Sequence, residues 1–103
     1  MKSETYLDFC FITEMTGTLA ADVQDNFERL FKGQRLHWYL DDKTVLDAEV
    51  VVAEVKGMSS WASEQDVIDH LEAQAGETFW QALQGYQLHV YPPEKGCGTC
   101  GIR

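Results

Sequence analysis

Hydrophobic and polar side chains alternate along residues 6–14 and 35–40, and a period of two is typical of half-buried β-strands. Residues 44–55 form a long stretch rich in β-branched side chains, and residues 86–91 are a last short strand, so four strands are predicted. The polar run Asp41-Asp42-Lys43 separates the second stretch from the third and predicts a tight turn, so these two strands form a hairpin. Pro92 and Pro93 end the last strand because proline cannot donate a ladder hydrogen bond.

Two further stretches have the period of a helix. Apolar residues recur on one helical face in the first of them, at Leu19, Val23, Phe27, Leu30 and Phe31. Thr18 is the expected N-cap of this helix and Gly33 its end. The second stretch opens with Ser63 and has Asp66 three residues later, which resembles a capping box. Gly76 is expected to break or bend that second helix.

The predicted order of elements is β-α-β-β-α-β, the split βαβ arrangement of the ferredoxin-like fold. We therefore expect an α+β protein with an antiparallel sheet in the order 4-1-3-2 and both helices on one face. The chain has 103 residues, which favours one domain. We assign residues 1–91 to this domain and residues 92–103 to a flexible C-terminal tail.

An uncovered sheet face is then expected to expose every second strand residue. We place Leu7, Phe9 and Phe11 toward the helices, together with Leu36, Trp38, Leu40, Leu46, Ala48, Val50, Val52, Leu88 and Val90. The other face would present Tyr6, Asp8, Cys10, Ile12, His37, Tyr39, Asp47, Glu49, Val51, Gln87, His89 and Tyr91. Such a face is either partly solvated surface or an interface for self-association, because tyrosine and valine side chains lie on it. A homo-oligomer through this face is the expectation.

Ligand or metal binding is a third interpretation of the same face. Asp8, Cys10, Glu49 and His89 are candidate ligands, because cysteine, histidine and carboxylate side chains bind zinc. His37 lies on the same predicted face. The order 4-1-3-2 places the last strand beside the first, so Cys10 and His89 are expected to be neighbours.

The C-terminal tail holds a Cys-x-x-Cys motif set in glycines, with thiols at Cys97 and Cys100. Gly98 lies between them, so the two sulfurs can meet without strain. Redox or disulfide use is one interpretation of this pair. Zinc binding is the rival, with two further ligands from Cys10, His37, His89 or a second subunit. A tail without special chemistry is the third interpretation, and the spacing alone does not choose among them.

The charge of the chain limits the classes of partner that we expect it to bind. Seventeen acidic residues stand against eight Lys and Arg residues, a formal net charge of −9. This balance disfavours direct nucleic-acid binding, because few cations are present to displace phosphate counterions. It leaves open an acidic inhibitor that mimics nucleic-acid charge. The longest apolar stretch, residues 50–53, is too short to insert into a membrane, and no signal peptide is visible, so we expect a cytoplasmic protein.

Residues 37–56, HWYLDDKTVLDAEVVVAEVK, resemble the long hairpin of the CutA and PII-like signalling proteins. The resemblance implies a ferredoxin-like trimer that binds small effectors or metals, and some PII-like proteins also end in a short cysteine hairpin. The first strand and helix do not match that family. The long effector-binding loop between its strands is also missing, with Asp41-Asp42-Lys43 in its place.

Together these features indicate a small regulatory or binding protein with a redox-sensitive pair at Cys97 and Cys100. The expected partner of this protein is a small-molecule effector or another protein. We expect no catalytic residues, although a small dithiol redox carrier would also fit the Cys-x-x-Cys pair. The same sequence is compatible with the acidic inhibitor and with a zinc-binding protein.

Overall fold

The computed structural model of the protein describes residues 2–14 and 17–92, which form four strands and three helices. In chain order the elements are β1 (Ser3–Glu14), α1 (Leu19–Leu30), β2 (Arg35–Val45), β3 (Ala48–Ser59), α2 (Glu64–Gln74), α3 (Glu77–Ala82) and β4 (Leu83–Tyr91). The predicted α+β class is confirmed. Cys97 and Cys100 lie outside the described residues, as does most of the segment assigned to the tail.

The strands form one antiparallel sheet in the order β2-β3-β1-β4. The predicted order, 4-1-3-2, lists the strands starting from the β4 edge. The order given above lists them starting from the β2 edge. The described elements run β-α-β-β-α-α-β, with one helix more than predicted. The extra helix arises at Gly76, the N-cap residue of α3, because the chain there is extended and interrupts the helical stretch.

The hydrophobic core lies between the sheet and the helices. Leu7, Phe9 and Phe11 on β1 are at most 2% exposed, which confirms their predicted orientation. They meet the apolar side of α1, where every residue of the predicted stripe is buried. The rings of Phe9 and Phe27 lie 5.5 Å apart between centroids, close enough for favourable aromatic packing.

The two longer helices begin with different caps. At α2, Ser63 Oγ accepts a hydrogen bond from Asp66 N at 3.3 Å, as predicted. Asp66 Oδ2 in turn accepts from Ala62 N at 2.9 Å. Thr18 occupies the N-cap position of α1, but its side chain makes no capping bond. Its hydroxyl donates to Asp22 Oδ2 instead.

The β2–β3 hairpin turns later than predicted. Asp41, Asp42 and Lys43 continue strand β2, and the turn is the two-residue step Leu46-Asp47 between the paired residues Val45 and Ala48. The polar residues gave a false turn signal because this outer part of the hairpin is exposed to solvent, where charged side chains are compatible with a strand.

The late turn also corrects the orientation of β3. Val51, Ala53 and Val55 face the helices and are fully buried, whereas Ala48, Val50 and Val52 lie on the opposite side. The prediction for β3 was therefore wrong by one residue. A shift of one residue moves every side chain of a strand to the other face.

Candidate functional site

The helices leave the other side of the sheet uncovered, and we call this side the open face. Strand alternation and register place on it, from the described residues, Glu4, Tyr6, Asp8, Cys10, Ile12, Glu14, Arg35, His37, Tyr39, Asp41, Lys43, Val45, Ala48, Val50, Val52, Glu54, Lys56, Met58, Gly85, Gln87, His89 and Tyr91. Most of the predicted face is confirmed. Glu49 and Val51 are the exceptions, since both point toward the helices, and Asp47 lies in the turn.

Aromatic side chains cluster on the open face near the β4 edge. The rings of Tyr6 and Tyr91 meet edge to face at 6.0 Å between centroids. The His89 ring lies parallel to that of Tyr91 at 6.3 Å. About half of the surface of each tyrosine remains accessible, 41% for Tyr6 and 55% for Tyr91. This cluster leaves flat ring surfaces exposed.

The cluster also contains charge. The Tyr6 hydroxyl donates to Glu4 Oε1 at 3.2 Å, and the negative charge of Glu4 together with this bond raises the pKa of Tyr6. Tyr6 is therefore a neutral hydrogen-bond donor at neutral pH. Farther across the sheet, Lys56 Nζ lies 5.7 Å from the centre of the Tyr39 ring, within the range of a cation–π contact.

The predicted neighbours Cys10 and His89 are not adjacent. Cys10 pairs with Val52 on one side and Gly85 on the other, whereas His89 pairs with Tyr6. Four residues along β1 separate these rows, a distance of about 14 Å at the usual rise of a strand. The error came from alignment of the two strands, because β4 extends back to Leu83 and shifts register beside Cys10.

The other candidate ligands are also spread out. His37 shares a row with Lys56, Tyr6 and His89, but three strand spacings, about 14 Å, separate it from His89. Asp8 lies one row away, between Glu54 and Gln87. Among the residues that the structure describes, no three His, Cys, Asp or Glu side chains are grouped to hold a metal ion. The described residues of the open face therefore do not support the hypothesis of a zinc site on this face.

Glu49 has a structural position instead. It is 4% exposed, and its Oε1 accepts hydrogen bonds from Gly17 N at 3.2 Å and Leu19 N at 3.3 Å. A carboxylate at this point satisfies free amides at the start of α1 and interacts favourably with the helix dipole. Glu49 thus attaches α1 to β3, a role that sequence alone could not show because the partners are about 30 residues apart.

A second helix is attached to the sheet by Glu64. Its Oε2 accepts a hydrogen bond from Val90 N on β4 at 2.8 Å. This bond, followed by one from the amide of Glu64 itself, lowers the pKa of the carboxyl group. The contact covers part of the otherwise open β4 edge.

The outer end of the open face is apolar. We call Ile12, Val45, Leu46, Ala48, Val50 and Val52 the hairpin patch. Ile12, Val45 and Val52 are 38%, 52% and 43% exposed, and Leu46 is 94% exposed. A shallow groove of about 710 Å³ runs along the patch between the end of β1 and the hairpin turn. The sequence did not predict this patch because its polar residues place the turn too early.

A second depression, of about 510 Å³, lies on the helical side between β1, α1 and α3. Its floor is apolar, with Phe11, Leu19 and Phe79, and its rim carries the acidic residues Glu14 and Asp22. The floor residues are members of the hydrophobic core. The depression is therefore the outer boundary of the core, and the open face is the candidate site.

Comparison with known proteins informs the fold alone. No family model matches the chain, and no curated protein matches it in sequence. A solved structure, described as the de novo designed protein Foldit4, is similar with a TM-score of 0.57 and 3% sequence identity. The alignment covers 88% of this chain and 99% of that one. Across the described residues, no helix has the length and apolar character needed to cross a membrane.

Proposed function

We propose that this protein is a small regulatory binding protein that forms a homo-oligomer through the open face, with Cys97 and Cys100 as a redox-sensitive pair. A cytoplasmic location belongs to the same proposal. We also propose that the fold is a variant of the ferredoxin-like βαββαβ arrangement in which the second helix is split. The likeness to CutA and PII-like proteins would then be one of fold, and a small-molecule or protein effector would remain a further partner.

The difference between the two sides of the molecule is the observation that carries this proposal. Helices α1, α2 and α3 contain eight acidic residues and a single Arg or Lys, Arg29. The open face holds five acidic residues, three Lys or Arg residues and two histidines, among exposed tyrosine, valine and isoleucine side chains. The side least able to repel a second copy is thus also the side with most apolar surface to bury.

Burial of that surface would stabilise an assembly. When both faces of a sheet carry apolar side chains, other elements normally pack against both. Here the helices cover only one face. Exposed apolar patches on soluble proteins commonly mark interaction sites. In a face-to-face dimer the acidic helices would point outward on both sides, which keeps the −9 charges of the two chains apart.

Val52→Lys tests the interface. Val52 lies on the inner strand β3 of the open face, and its exposure means that a lysine there leaves the monomer fold intact. A lysine buried between two copies loses its hydration even with Asp41 opposite it on β2, so it should raise the dimer Kd about tenfold or more. Sedimentation equilibrium of the wild type and the variant measures this change.

Ala73→Lys is the matched control, because it adds the same charge to an exposed site on α2. It should leave the Kd unchanged or lower it slightly by reducing repulsion. A wild-type protein that stays monomeric at all concentrations contradicts the proposed oligomer. Equal effects of the two lysines would contradict its location on the open face.

The redox part of the proposal predicts a change of affinity on oxidation. Reaction with a small disulfide such as oxidised glutathione would join the thiols of Cys97 and Cys100. Two electrons and two protons pass to the small disulfide, which leaves as two thiols. Closing the ring would alter a ligand pocket or the partner surface of the domain.

Cys97→Ser should therefore abolish any effect of oxidised glutathione on self-association, measured by sedimentation with and without the oxidant. Cys10→Ser is the control and should retain the effect, because Cys10 is outside the proposed pair. A redox effect that survives in Cys97→Ser would rule out this mechanism.

A further inference from the structure

We infer that the hairpin patch is the centre of the contact between two copies of this chain, and that Leu46 is a reciprocal anchor. Each copy would place its Leu46 in the apolar groove of the other. This inference rests on the proposed self-association and identifies the part of the open face that drives it.

Leu46 occupies a position that its residue type disfavours. It is the first of two residues in the hairpin turn and has φ of 56°, in the left-handed region. Glycine, asparagine and aspartate are the usual residues in such turns, because a larger side chain is strained there. Leu46 also leaves 94% of its surface exposed, so it contributes almost nothing to the packing of its own chain. A strained, exposed apolar side chain is more readily explained by a contact outside the monomer.

An open, shallow apolar groove lies beside it, and Leu46 itself forms part of the wall. The groove of about 710 Å³ is lined by Ile12, Ala48 and Val50, together with the turn itself. Because projection and groove belong to one patch, a two-fold axis through the patch brings each Leu46 to the partner's groove. Such a contact is self-complementary and closes at two copies, whereas a projection and receptor on distant surfaces would generate open chains.

The charges at the edges of the patch suit the same symmetry. Lys43 on β2 and Glu14 on β1 lie at the two margins of the hairpin patch, with β3 between them. A two-fold axis parallel to the strands turns the β2 margin of one copy toward the β1 margin of the other. Each Lys43 then lies near the partner copy's carboxylate at position 14. In the monomer, Lys43 Nζ lies 3.4 Å from Oδ2 of the neighbouring exposed acid Asp41.

The size of the patch limits what it can do alone. A stable dimer usually buries about 800 Å² on each partner, more than six side chains supply. The contact must therefore extend along β1 and β3 toward the exposed tyrosine side chains of the open face. This continuity makes the hairpin patch the anchor of the proposed interface and not a separate one.

Leu46→Gly tests the anchor because it should weaken the dimer without lowering the stability of the monomer. Glycine adopts the left-handed turn without strain, so the melting temperature of the dilute monomer should stay the same or rise. The dimer Kd should rise about tenfold or more, as expected for loss of an interface anchor. Leu46→Met keeps an apolar side chain and should retain a Kd near that of the wild type. Sedimentation equilibrium and thermal unfolding measure both properties.

The outcomes separate the inference from the proposal beneath it. A dimer weakened by Val52→Lys but unchanged by Leu46→Gly overturns the anchor and leaves the open-face interface in place. A Leu46→Gly variant that loses monomer stability overturns it as well, because the side chain would then serve its own fold. A wild type that never associates overturns the proposed oligomer itself.

Discussion

Replacing Gly57 by alanine is expected to destabilise the protein by roughly 3–5 kcal/mol, through strain and overpacking. Gly57 lies in β3 with φ of 148°, a conformation that residues with a side chain rarely adopt. A Cβ at this position would overlap the carbonyl oxygen of Arg35 on the neighbouring strand β2. Since that oxygen belongs to the backbone, relief requires the β2–β3 pairing to shift. Urea unfolding monitored by circular dichroism measures the loss.

Gly85→Ala is the control for this variant. Gly85 also lies in a strand, β4, but a Cβ there meets no heavy atom within 4 Å. Its free energy of unfolding should stay within about 0.5 kcal/mol of the wild type, the usual range for surface substitutions. Equal stability of Gly57→Ala and Gly85→Ala would contradict the close approach of β2 to β3 at Gly57.

Phe27→Ala is the second change with a large expected effect, a loss of about 3–5 kcal/mol. Phe27 is fully buried on α1, and its ring contacts those of Phe9 on β1, Phe31 and Trp38 on β2. Removing the ring leaves a cavity at the junction of helix and sheet. The midpoint of urea unfolding should fall, and the same measurement should show a smaller loss for Phe27→Leu, which fills more of the space.

Tyr39→Ala provides the contrast, because Tyr39 is 62% exposed on the open face. Its removal should change the stability of the dilute monomer by less than about 1 kcal/mol. If Phe27→Ala were tolerated as well as Tyr39→Ala, the core would not lie between α1 and the sheet.

The elements with a strong local pattern could be predicted from sequence. The stripe from Leu19 to Phe31 indicated α1 because one helical face carries all its large apolar residues. The alternation around Phe9 indicated the orientation of β1, and Ser63 marked the start of α2. Gly76 indicated an interruption, although its consequence, a separate helix α3, depends on how the chain packs beyond the break.

The hairpin could not be predicted to the same level. Asp41-Asp42-Lys43 has the composition of a turn, and Leu46-Asp47 lacks the glycine or asparagine that usually marks one. Local preference therefore pointed to the wrong turn, whereas the actual register pairs Val45 with Ala48. The orientation of Val50 and Val52 follows from that register and was lost with it.

The candidate site also combines features that follow from local sequence pattern with features that depend on tertiary contacts. Tyr6, Tyr39, His37 and Tyr91 follow from simple alternation and were placed correctly on the open face. The separation of Cys10 from His89 depends on strand alignment, and the position of Glu49 depends on a contact with the start of α1. Both are tertiary properties that no local pattern encodes. The hypotheses for Cys97 and Cys100 still rest on their spacing in the sequence.

Methyl NMR spectra recorded over a dilution series test the central claim, self-association through the open face, most directly. The methyl signals of Ile12, Val50 and Val52 should shift together as the concentration falls, whereas those of Ala21 and Ala73, exposed on the helices, should stay fixed. Shifts confined to the helical alanines, or spectra that do not change with concentration, would contradict the account.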